Sequence, residues 1–386
     1  MYIYVFVFII LILLSIVYDA KKGIKGYKFS YIITFLIITV VAGLRYKIGS
    51  DTLAYMDEYK YYPDIFHLTN YNYKDIRDDV LWVVFCSLCK SISDSYFFMQ
   101  FIHAFLINSV FFYFIYKNTK YRFTAVFFYY ILGFLYFNTE ILRESMAVSV
   151  FLISLSSFYK KKWVQYYILV TVATLFHSSA LITFIFPLFI KIKFNKFFII
   201  SLITVTLLAS VIWQLFNENI KYFFAISSIE SKANIYLTNE LYQYSLNGII
   251  YGLFAYVFTP LICVLYFYKK NTGSSKQAPL IWLYISLGIF IIYNNTIFTR
   301  FQNYLFFPFI ILLSNIFNNQ ETKKRDKLSQ PFQFFALFLI ILVTHYYNYF
   351  KLDITNNTYI YDRYTPYHSI LTKKTTKERE ILDYYW

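Results

Sequence analysis

Long apolar segments, almost free of charged residues, alternate with short polar ones along the whole chain. Eight of them have about the 17–25 residues with which an α-helix crosses a bilayer. These segments are Tyr2–Val17, Phe29–Leu44, Tyr96–Tyr116, Phe197–Phe216, Ile249–Tyr268, Leu280–Phe298, Phe301–Phe317 and Phe332–Phe350. They are too long for core strands and too many for a signal peptide. The pattern therefore predicts an all-α, polytopic integral membrane protein.

Shorter apolar segments fill the intervals between these helices. The interval between Arg122 and Lys160 has room for two short crossings that meet at Asn138–Arg143. Another pair, of about 14 and 11 residues, turns near His177, and such short segments are tolerated where they are buried among helices or line a cavity. With these pairs the chain makes about twelve crossings, several of them short or broken. Asp79–Ile92 is too short to span, and it predicts an interfacial or re-entrant helix.

Basic residues follow the same alternation. The net charge is +15, and much of it lies in six clusters between apolar segments. The clusters are Lys21–Lys28, Lys117–Arg122, Lys160–Lys162, Lys191–Lys196, Lys269–Lys276 and Lys323–Lys327. Because clusters of Lys and Arg mark cytoplasmic loops, topology explains the charge, and no nucleic-acid partner is expected.

Placing all six clusters in the cytoplasm puts both termini outside. The chain, residues 1–386, is then a single transmembrane domain with outer loops at about 45–95 and 217–247 and an outer C-terminal tail at 351–386. The tail carries six basic residues, and it would lie inside if one crossing were miscounted. Long segments follow the charge rule poorly, so the tail is predicted outside.

Composition agrees with a membrane protein and excludes several function classes. Charged residues make up 15% of the chain, whereas a soluble domain has about a quarter. Cys86 and Cys89 lie one helical turn apart without a second cysteine pair or a nearby histidine pair, so they are interpreted as packing residues and no metal site is predicted. The chain has no P-loop, G-x-S-x-G or H-E-x-x-H motif, which disfavours an ATP-driven pump or a soluble-type hydrolase.

Charged residues outside the basic clusters are the candidates for function, since a charge at the centre of a membrane helix costs about 2.5–3.5 kcal/mol on insertion scales. The first group follows the second helix. Arg45, Gly49 and Asp51 lie within seven residues, with Tyr46 and Tyr55 beside them. An arginine, a flexible glycine and an acid fit an anion site next to a general base. The alternative is an arginine that snorkels from a helix end.

A second group lies between the two short crossings that precede Lys160. Glu140 and Glu144 are one helical turn apart and flank Arg143. They form either a self-neutralised surface pair or a pair of carboxylates that holds the guanidinium in place for a phosphate.

Two further candidates are single residues. His177, at the turn of the shortest pair, is either an acid or base or a core histidine with satisfied hydrogen bonds. Arg300 is the only charge between Lys276 and Glu321. It is a candidate to bind a diphosphate, and snorkelling is again the alternative. The predicted topology places all four groups at the outer side.

Four segments carry a combined signature that covers most of the chain in order. They are LRYKIGSDTLAY at Leu44–Tyr55, ILRESMAVSVFLISLSSFYKKKWVQYYILVTVATLFHSSALI at Ile141–Ile182, TRFQNYLFFP at Thr299–Pro308 and TPYHSIL at Thr365–Leu371. With them the chain resembles the EpsG family of Wzy-like exopolysaccharide polymerases. The family often has a glutamine after the arginine of the second segment, where this chain has Glu144.

The resemblance implies a function and a location. The protein is expected to polymerise undecaprenyl-diphosphate-linked oligosaccharide repeat units on the outer face of the bacterial cytoplasmic membrane, during synthesis of capsule, exopolysaccharide or O-antigen. A fold like that of GT-C-like polysaccharide polymerases is implied. The expected partners are the lipid-linked donor and acceptor, the bilayer, a flippase and a chain-length regulator, without a cofactor. The implied substrate-binding residues are Arg45, Tyr46, Gly49, Tyr55, Glu140, Glu144, Tyr304 and Tyr367.

The resulting hypothesis is a metal-independent glycosyl transfer. Arg143 and Arg300, together with Arg45, neutralise the leaving diphosphate, and Asp51 or His177 takes the proton of the acceptor hydroxyl. The alternatives are a flippase of lipid-linked oligosaccharide, a ligase or acyltransferase acting outside the membrane, and a structural scaffold. A flippase needs charges along a path through the membrane, whereas the predicted charges lie near one side.

Overall fold

The structure is a computed structural model, and it describes residues 2–20, 25–71, 79–223, 246–270, 276–318, 350, 352–353 and 358–374. The α-helices are α1 (Tyr2–Leu14), α2 (Tyr27–Gly43), α3 (Thr52–Tyr61), α4 (Val80–Lys90), α5 (Tyr96–Asn118), α6 (Arg122–Leu132), α7 (Leu142–Tyr159), α8 (Trp163–Phe176), α9 (Lys196–Phe223), α10 (Leu246–Leu253), α11 (Thr259–Lys270), α12 (Ala278–Phe290), α13 (Asn295–Asn303) and α14 (Phe306–Asn318). Segments of 3₁₀ or π helix are Ser15–Ala20, Ile65–Asn70, Tyr136–Glu140, Ser178–Phe189, Phe254–Phe258 and Ile360–Arg363. Strands β1 (Leu352–Asp353) and β2 (Thr358–Tyr359) form a small antiparallel hairpin. The predicted helical class is confirmed.

Several of these helices are apolar, as expected of a membrane protein. In the part of the chain that the structure describes, four are long and apolar enough to cross a membrane, or five if one bent pair counts as a single span. The four are Tyr2–Asp19, Tyr96–Asn118, Lys196–Phe216 and Gly248–Leu265. Shorter apolar helices, including α2, α6, α8 and α12, accompany them. The count of about twelve crossings stays a prediction.

One compact unit comprises residues 1–73, 79–149 and 328–386. In it α2 packs along α5, where the Tyr31 hydroxyl donates to the Phe112 carbonyl at 2.8 Å. In the Ser15–Ala20 segment that follows α1, Asp19 accepts hydrogen bonds from the backbone N–H and the hydroxyl of Thr124, at 2.7 and 2.9 Å. This carboxylate satisfies an otherwise orphan N–H in the first turn of α6.

The second unit comprises residues 74–78 and 150–327. Its α8 has 14 residues, and the 3₁₀ segment that follows has 12, so the predicted pair of very short segments around His177 is confirmed. Pro187 lies inside the second segment, where its missing N–H and its ring prevent a regular α-helix. The Tyr166 hydroxyl donates to the Thr183 carbonyl at 2.5 Å and joins the two.

The predicted continuous helices Leu280–Phe298 and Phe301–Phe317 are wrong. The first ends at Phe290, and α13 begins anew after Asn294, whose side chain accepts a hydrogen bond from the Ile297 N–H at 3.0 Å. This polar cap lets a new helix start inside an apolar stretch. The helix axes of α13 and α14 differ by 64° across a short break. Arg300 thus lies on a nine-residue helix with a break at each end.

Two other predicted segments lie wholly or partly outside the described residues. Helix α9 runs to Phe223, past the predicted end at Phe216, and residues 224–245 of the predicted outer loop are not described. Of the predicted helix Phe332–Phe350, only its last residue is described. The short helix expected within Asp79–Ile92 is α4, which packs on α5 and buries Cys86 and Cys89.

Gly288 is a close-contact position inside the second unit. A Cβ atom there would lie 2.4 Å from the backbone oxygen of Tyr256, and backbone cannot move aside as a flexible side chain can. We expect Gly288→Ala to lower stability by about 1–3 kcal/mol, as overpacking does. The measurement is the thermal unfolding of purified protein in detergent, with Ser156→Ala at an exposed helical position as the control. Equal melting temperatures for both variants would show that Gly288 in α12 is not in contact with the backbone of the Phe254–Phe258 segment.

Candidate functional site

The turn after α2 is shaped by a glycine that no other residue replaces easily. Gly49 has φ +105°, a conformation that L side chains rarely adopt. A Cβ atom at this position would also lie 2.7 Å from the Cβ of Thr139. Gly49 therefore lets the turn approach the Tyr136–Glu140 segment, which precedes α7.

Glu140 anchors this turn from the other side. Its carboxylate accepts hydrogen bonds from the Ser50 N–H at 3.0 Å, from the Ser50 hydroxyl and from the Asp51 N–H at 3.3 Å. Glu140 is only 8% exposed, and Glu144 only 1%. The interpretation of these residues as a self-neutralised surface pair is therefore wrong. Glu140 contributes to the site by fixing the backbone that carries Asp51.

Asp51 stands at the start of α3, half-buried. Its side chain does not cap the helix, although aspartate commonly does so at this position. The residue is held through its backbone, because its N–H donates to Glu140 and its carbonyl accepts from the Tyr55 N–H at 3.0 Å. The Tyr55 hydroxyl in turn lies 3.4 Å from the Glu140 carbonyl oxygen.

Arg143, at the start of α7, is oriented by an acid that sequence analysis did not single out. Its Nη1 donates to Asp79 Oδ2 at 3.0 Å, and the two side chains are 13% and 8% exposed. Tyr55 and Glu58 also lie close enough to act on the guanidinium electrostatically. Burial raises the pKa of Tyr55 to about 12, so its hydroxyl stays protonated as a donor. Arg143 is thus a largely buried arginine held by a carboxylate.

Arg45 is buried almost completely, at 1% exposure. The snorkelling alternative is therefore wrong for this residue. Its Nη1 donates to the Ala42 carbonyl at 2.6 Å, and its own carbonyl accepts from Gln100 Nε2 at 2.9 Å. Its Nε and Nη2 have no hydrogen-bond partner among the described residues. A buried guanidinium with two unused donors has the chemistry of an anion site.

The C-terminal tail covers this turn with backbone hydrogen bonds. Tyr46 N–H donates to the His368 carbonyl at 2.9 Å, and Gly49 N–H donates to the Arg363 carbonyl at 3.0 Å. Arg45 and Ser369 form an antiparallel bridge. The Tyr367 hydroxyl donates to the Val41 carbonyl at 3.1 Å. The tail and the Arg45–Asp51 turn therefore form one local structure.

In the second unit, four side chains form a hydrogen-bonded series. Arg300 Nη1 lies 3.0 Å from His177 Nε2, and His177 Nδ1 lies 2.7 Å from Ser179 Oγ. Ser179 Oγ lies 2.8 Å from the hydroxyl of Tyr304. Arg300 is half-buried, whereas His177 and Ser179 are buried and Tyr304 is 0% exposed. Tyr304, which was predicted to bind substrate, thus reaches the site through Ser179.

The structure places the predicted residues in two groups, one in each compact unit. The first unit holds Arg45, Tyr46, Gly49, Asp51, Tyr55, Glu140, Arg143, Glu144 and Tyr367, and the second holds His177, Arg300 and Tyr304. Sequence reasoning gave Ser179 no role of its own, although it lies two residues after His177, and it did not connect Asp79 with Arg143. Asp79 is a charge outside the basic clusters, but nothing in the sequence pairs it with a residue 64 positions away. Among the described residues, no group of three or more His, Cys, Asp or Glu side chains is arranged to hold a metal ion.

The Glu140 anchor leads to a local prediction. Glu140→Ala removes the acceptor for the Ser50 and Asp51 N–H groups, and a hydrogen bond to a charged group contributes about 1.5–3 kcal/mol. We expect these amides to exchange with deuterium roughly tenfold faster or more, as measured by mass spectrometry of peptides covering residues 45–55. Glu140→Gln, which keeps one acceptor oxygen, is expected to have a smaller effect. Unchanged exchange in the alanine variant would contradict the anchor.

Comparison with known proteins identifies a family. The model of the EpsG family matches residues 28–369, which is most of the chain and includes every predicted site residue. No curated protein and no solved structure shows a significant match.

Proposed function

The chain belongs to the EpsG family of Wzy-like polymerases, and we propose that it joins undecaprenyl-diphosphate-linked oligosaccharide repeat units into a polysaccharide. The growing chain leaves its lipid carrier and is transferred to the non-reducing end of a new lipid-linked unit. We place the reaction on the outer face of the bacterial cytoplasmic membrane, in the synthesis of capsule, exopolysaccharide or O-antigen. The chain crosses this membrane about twelve times.

The transfer breaks one bond and forms another. The bond between the anomeric carbon of the donor sugar and the diphosphate oxygen breaks, so undecaprenyl diphosphate leaves with the bonding electrons. A hydroxyl oxygen of the acceptor sugar bonds to the same carbon and gives up its proton to a base. The protein must therefore stabilise a negatively charged leaving group and accept one proton.

Arginines supply the first requirement. The observation that carries the proposal is that both Arg143 and Arg300 are oriented by a neighbouring side chain, Asp79 for the first and His177 for the second. A preorganised guanidinium stabilises developing charge without reorganising during the reaction, and its planar donors match phosphate oxygens. We assign both arginines to the diphosphate groups of the lipid-linked substrates. Arg45, whose Nε and Nη2 have no hydrogen-bond partner in the described part of the chain, is assigned to the same class of ligand.

Asp51 is the better candidate for the base. His177 Nε2 faces a guanidinium N–H, which only donates, so its lone pair is already engaged. The Asp51 carboxylate is half-buried and takes no part in capping α3, while Glu140 fixes its backbone. A positioned carboxylate of this kind is able to take the proton of a sugar hydroxyl.

Arginine variants test the polymerase assignment in cells. We expect Arg143→Ala or Arg300→Ala to abolish long polymer and to cause accumulation of single lipid-linked repeats, because removing one such donor costs roughly 10²–10³-fold in rate. The measurement is a gel of chain lengths together with an extract of lipid-linked intermediates. Lys117→Ala, at an exposed position outside both groups, is the control.

Locating the accumulated repeats in the same variants separates the alternatives, for example by their accessibility to an enzyme added outside the cell. Accumulation in the outer leaflet supports a polymerase, and accumulation in the inner leaflet supports a flippase. A ligase or acyltransferase would change attachment or modification of the glycan while its chain lengths stayed the same. Normal long polymer in both variants, at normal expression, would contradict the proposal.

The assignment of the base has its own test. Asp51→Asn keeps the backbone bond to Glu140 but removes the basic carboxylate, so we expect the rate to fall by about 10²–10⁴-fold. Initial rates of polymer formation are measured with purified protein and with lipid-linked repeats extracted from cells that lack it. Asp57→Asn, in the exposed ion pair with Lys60 on the same helix, is the matched control. A rate within a few-fold of the wild type would exclude Asp51 as the base.

A further inference from the structure

We propose that His177, Ser179 and Tyr304 are positioning residues that set the guanidinium of Arg300, and that His177 acts as a neutral hydrogen-bond acceptor rather than as a base. The proposal rests on the proposed function, because Arg300 is taken to bind a diphosphate. It assigns roles to Ser179 and to the hydroxyl of Tyr304.

The directions of the hydrogen bonds follow from their chemistry. A guanidinium has N–H donors and no acceptor, so the 3.0 Å contact with Arg300 Nη1 makes His177 Nε2 an acceptor. A neutral imidazole then carries its proton on Nδ1. Nδ1–H donates to Ser179 Oγ at 2.7 Å, and the serine hydroxyl is left to donate to the tyrosine oxygen at 2.8 Å.

One contact argues for the other tautomer. The backbone N–H of Ser179 lies 3.2 Å from His177 Nδ1, and a true hydrogen bond there would need Nδ1 to accept. That tautomer would place an Nε2–H against the Arg300 donor, where two donors repel each other. The Ser179 hydroxyl can donate or accept, so it fits either tautomer. The 3.0 Å contact with Arg300 is shorter than the 3.2 Å contact with the Ser179 N–H, and it therefore favours the proton on Nδ1.

The far end of the series is fixed by packing. Tyr304 is 0% exposed, and its ring meets the ring of Phe151 edge to face at 5.6 Å. A hydroxyl on such an immobile ring is a stable reference point for Ser179. His177 also follows α8 directly in extended conformation, which turns its ring toward both serine and arginine. The guanidinium of Arg300 is thus connected to the buried Tyr304 through the side chains of His177 and Ser179.

A neutral acceptor has a specific advantage at this position. A carboxylate that held Arg300 would cancel most of its charge and would compete with a phosphate for the same donors. An imidazole engages one N–H and leaves the net charge unchanged. Bidentate binding of phosphate requires two further N–H groups in one plane. Because a neutral acceptor leaves these groups and the positive charge available, it suits an arginine whose ligand is a diphosphate.

Two amide variants of His177 separate a positioning role from a basic role. The side-chain oxygen of glutamine lies near the place of Nε2, whereas that of asparagine lies near the place of Nδ1. We expect His177→Gln to keep its polymerisation rate within about tenfold of the wild type, because an amide oxygen still accepts from Arg300. We expect His177→Asn to lose roughly 10²-fold or more, as Arg300→Ala does. A general base would lose activity equally in both variants.

The hydroxyl groups are tested in the same assay. Ser179→Ala and Tyr304→Phe each remove one hydroxyl and little volume, and we expect each to lower kcat about three- to thirtyfold, through partial loss of Arg300 orientation. Ser178→Ala, which removes the neighbouring half-buried hydroxyl, is the matched control and should have no effect. Melting temperatures in detergent identify any variant that loses activity through unfolding.

The assay uses full-length protein in vesicles with lipid-linked repeats extracted from cells that lack it. If the wild type forms no polymer, the proposed function fails. If the wild type forms polymer but His177→Gln is as inactive as His177→Asn at equal melting temperature, the positioning role of His177 is overturned. His177 would then be the better candidate for the base. Full activity of both Ser179→Ala and Tyr304→Phe would remove these two residues from the proposal.

Discussion

A positive charge buried in a protein must find hydrogen-bond acceptors inside it, because the loss of hydration costs several kcal/mol per ion. Arg143 meets this demand with the carboxylate of Asp79, and Arg300 meets it with an imidazole nitrogen. Arg45 meets it only in part, through one backbone carbonyl. Each of the three guanidinium groups thus has at least one hydrogen-bond acceptor within the protein.

Asp79 and His177, which orient the two arginines, differ in charge, and this difference affects ligand binding. Asp79 orients Arg143 and offsets its charge, and Glu58 adds further negative potential nearby. His177, which we propose to be neutral, orients Arg300 without offsetting its charge. An arginine with its full charge attracts a diphosphate more strongly, whereas one held by carboxylates is fixed more firmly. The two groups therefore differ in the combination of charge and rigidity that each gives its arginine.

The sequence predicted the helical class and most of the candidate residues, because both depend on local patterns. Apolar length identifies helices such as α5, and a charge within an apolar stretch is conspicuous on its own. The break at Asn294 was missed because an asparagine cap is only one residue of an apolar run. The partners of Arg143 and Glu140 were missed for a different reason. They lie 64 and about 90 positions away, and no local pattern encodes such a contact.

The contacts of the tail constrain the topology more firmly than charge counting does. The N–H groups of Tyr46 and Gly49 donate to carbonyls of His368 and Arg363. Hydrogen bonds of about 3 Å cannot reach across a hydrocarbon core of about 30 Å. The turn after α2 and the tail must therefore share one side of the membrane. Among the described basic residues of the tail, Arg363, Lys373 and Lys374 then lie on the side of Arg45, because backbone pairing holds this part of the tail there.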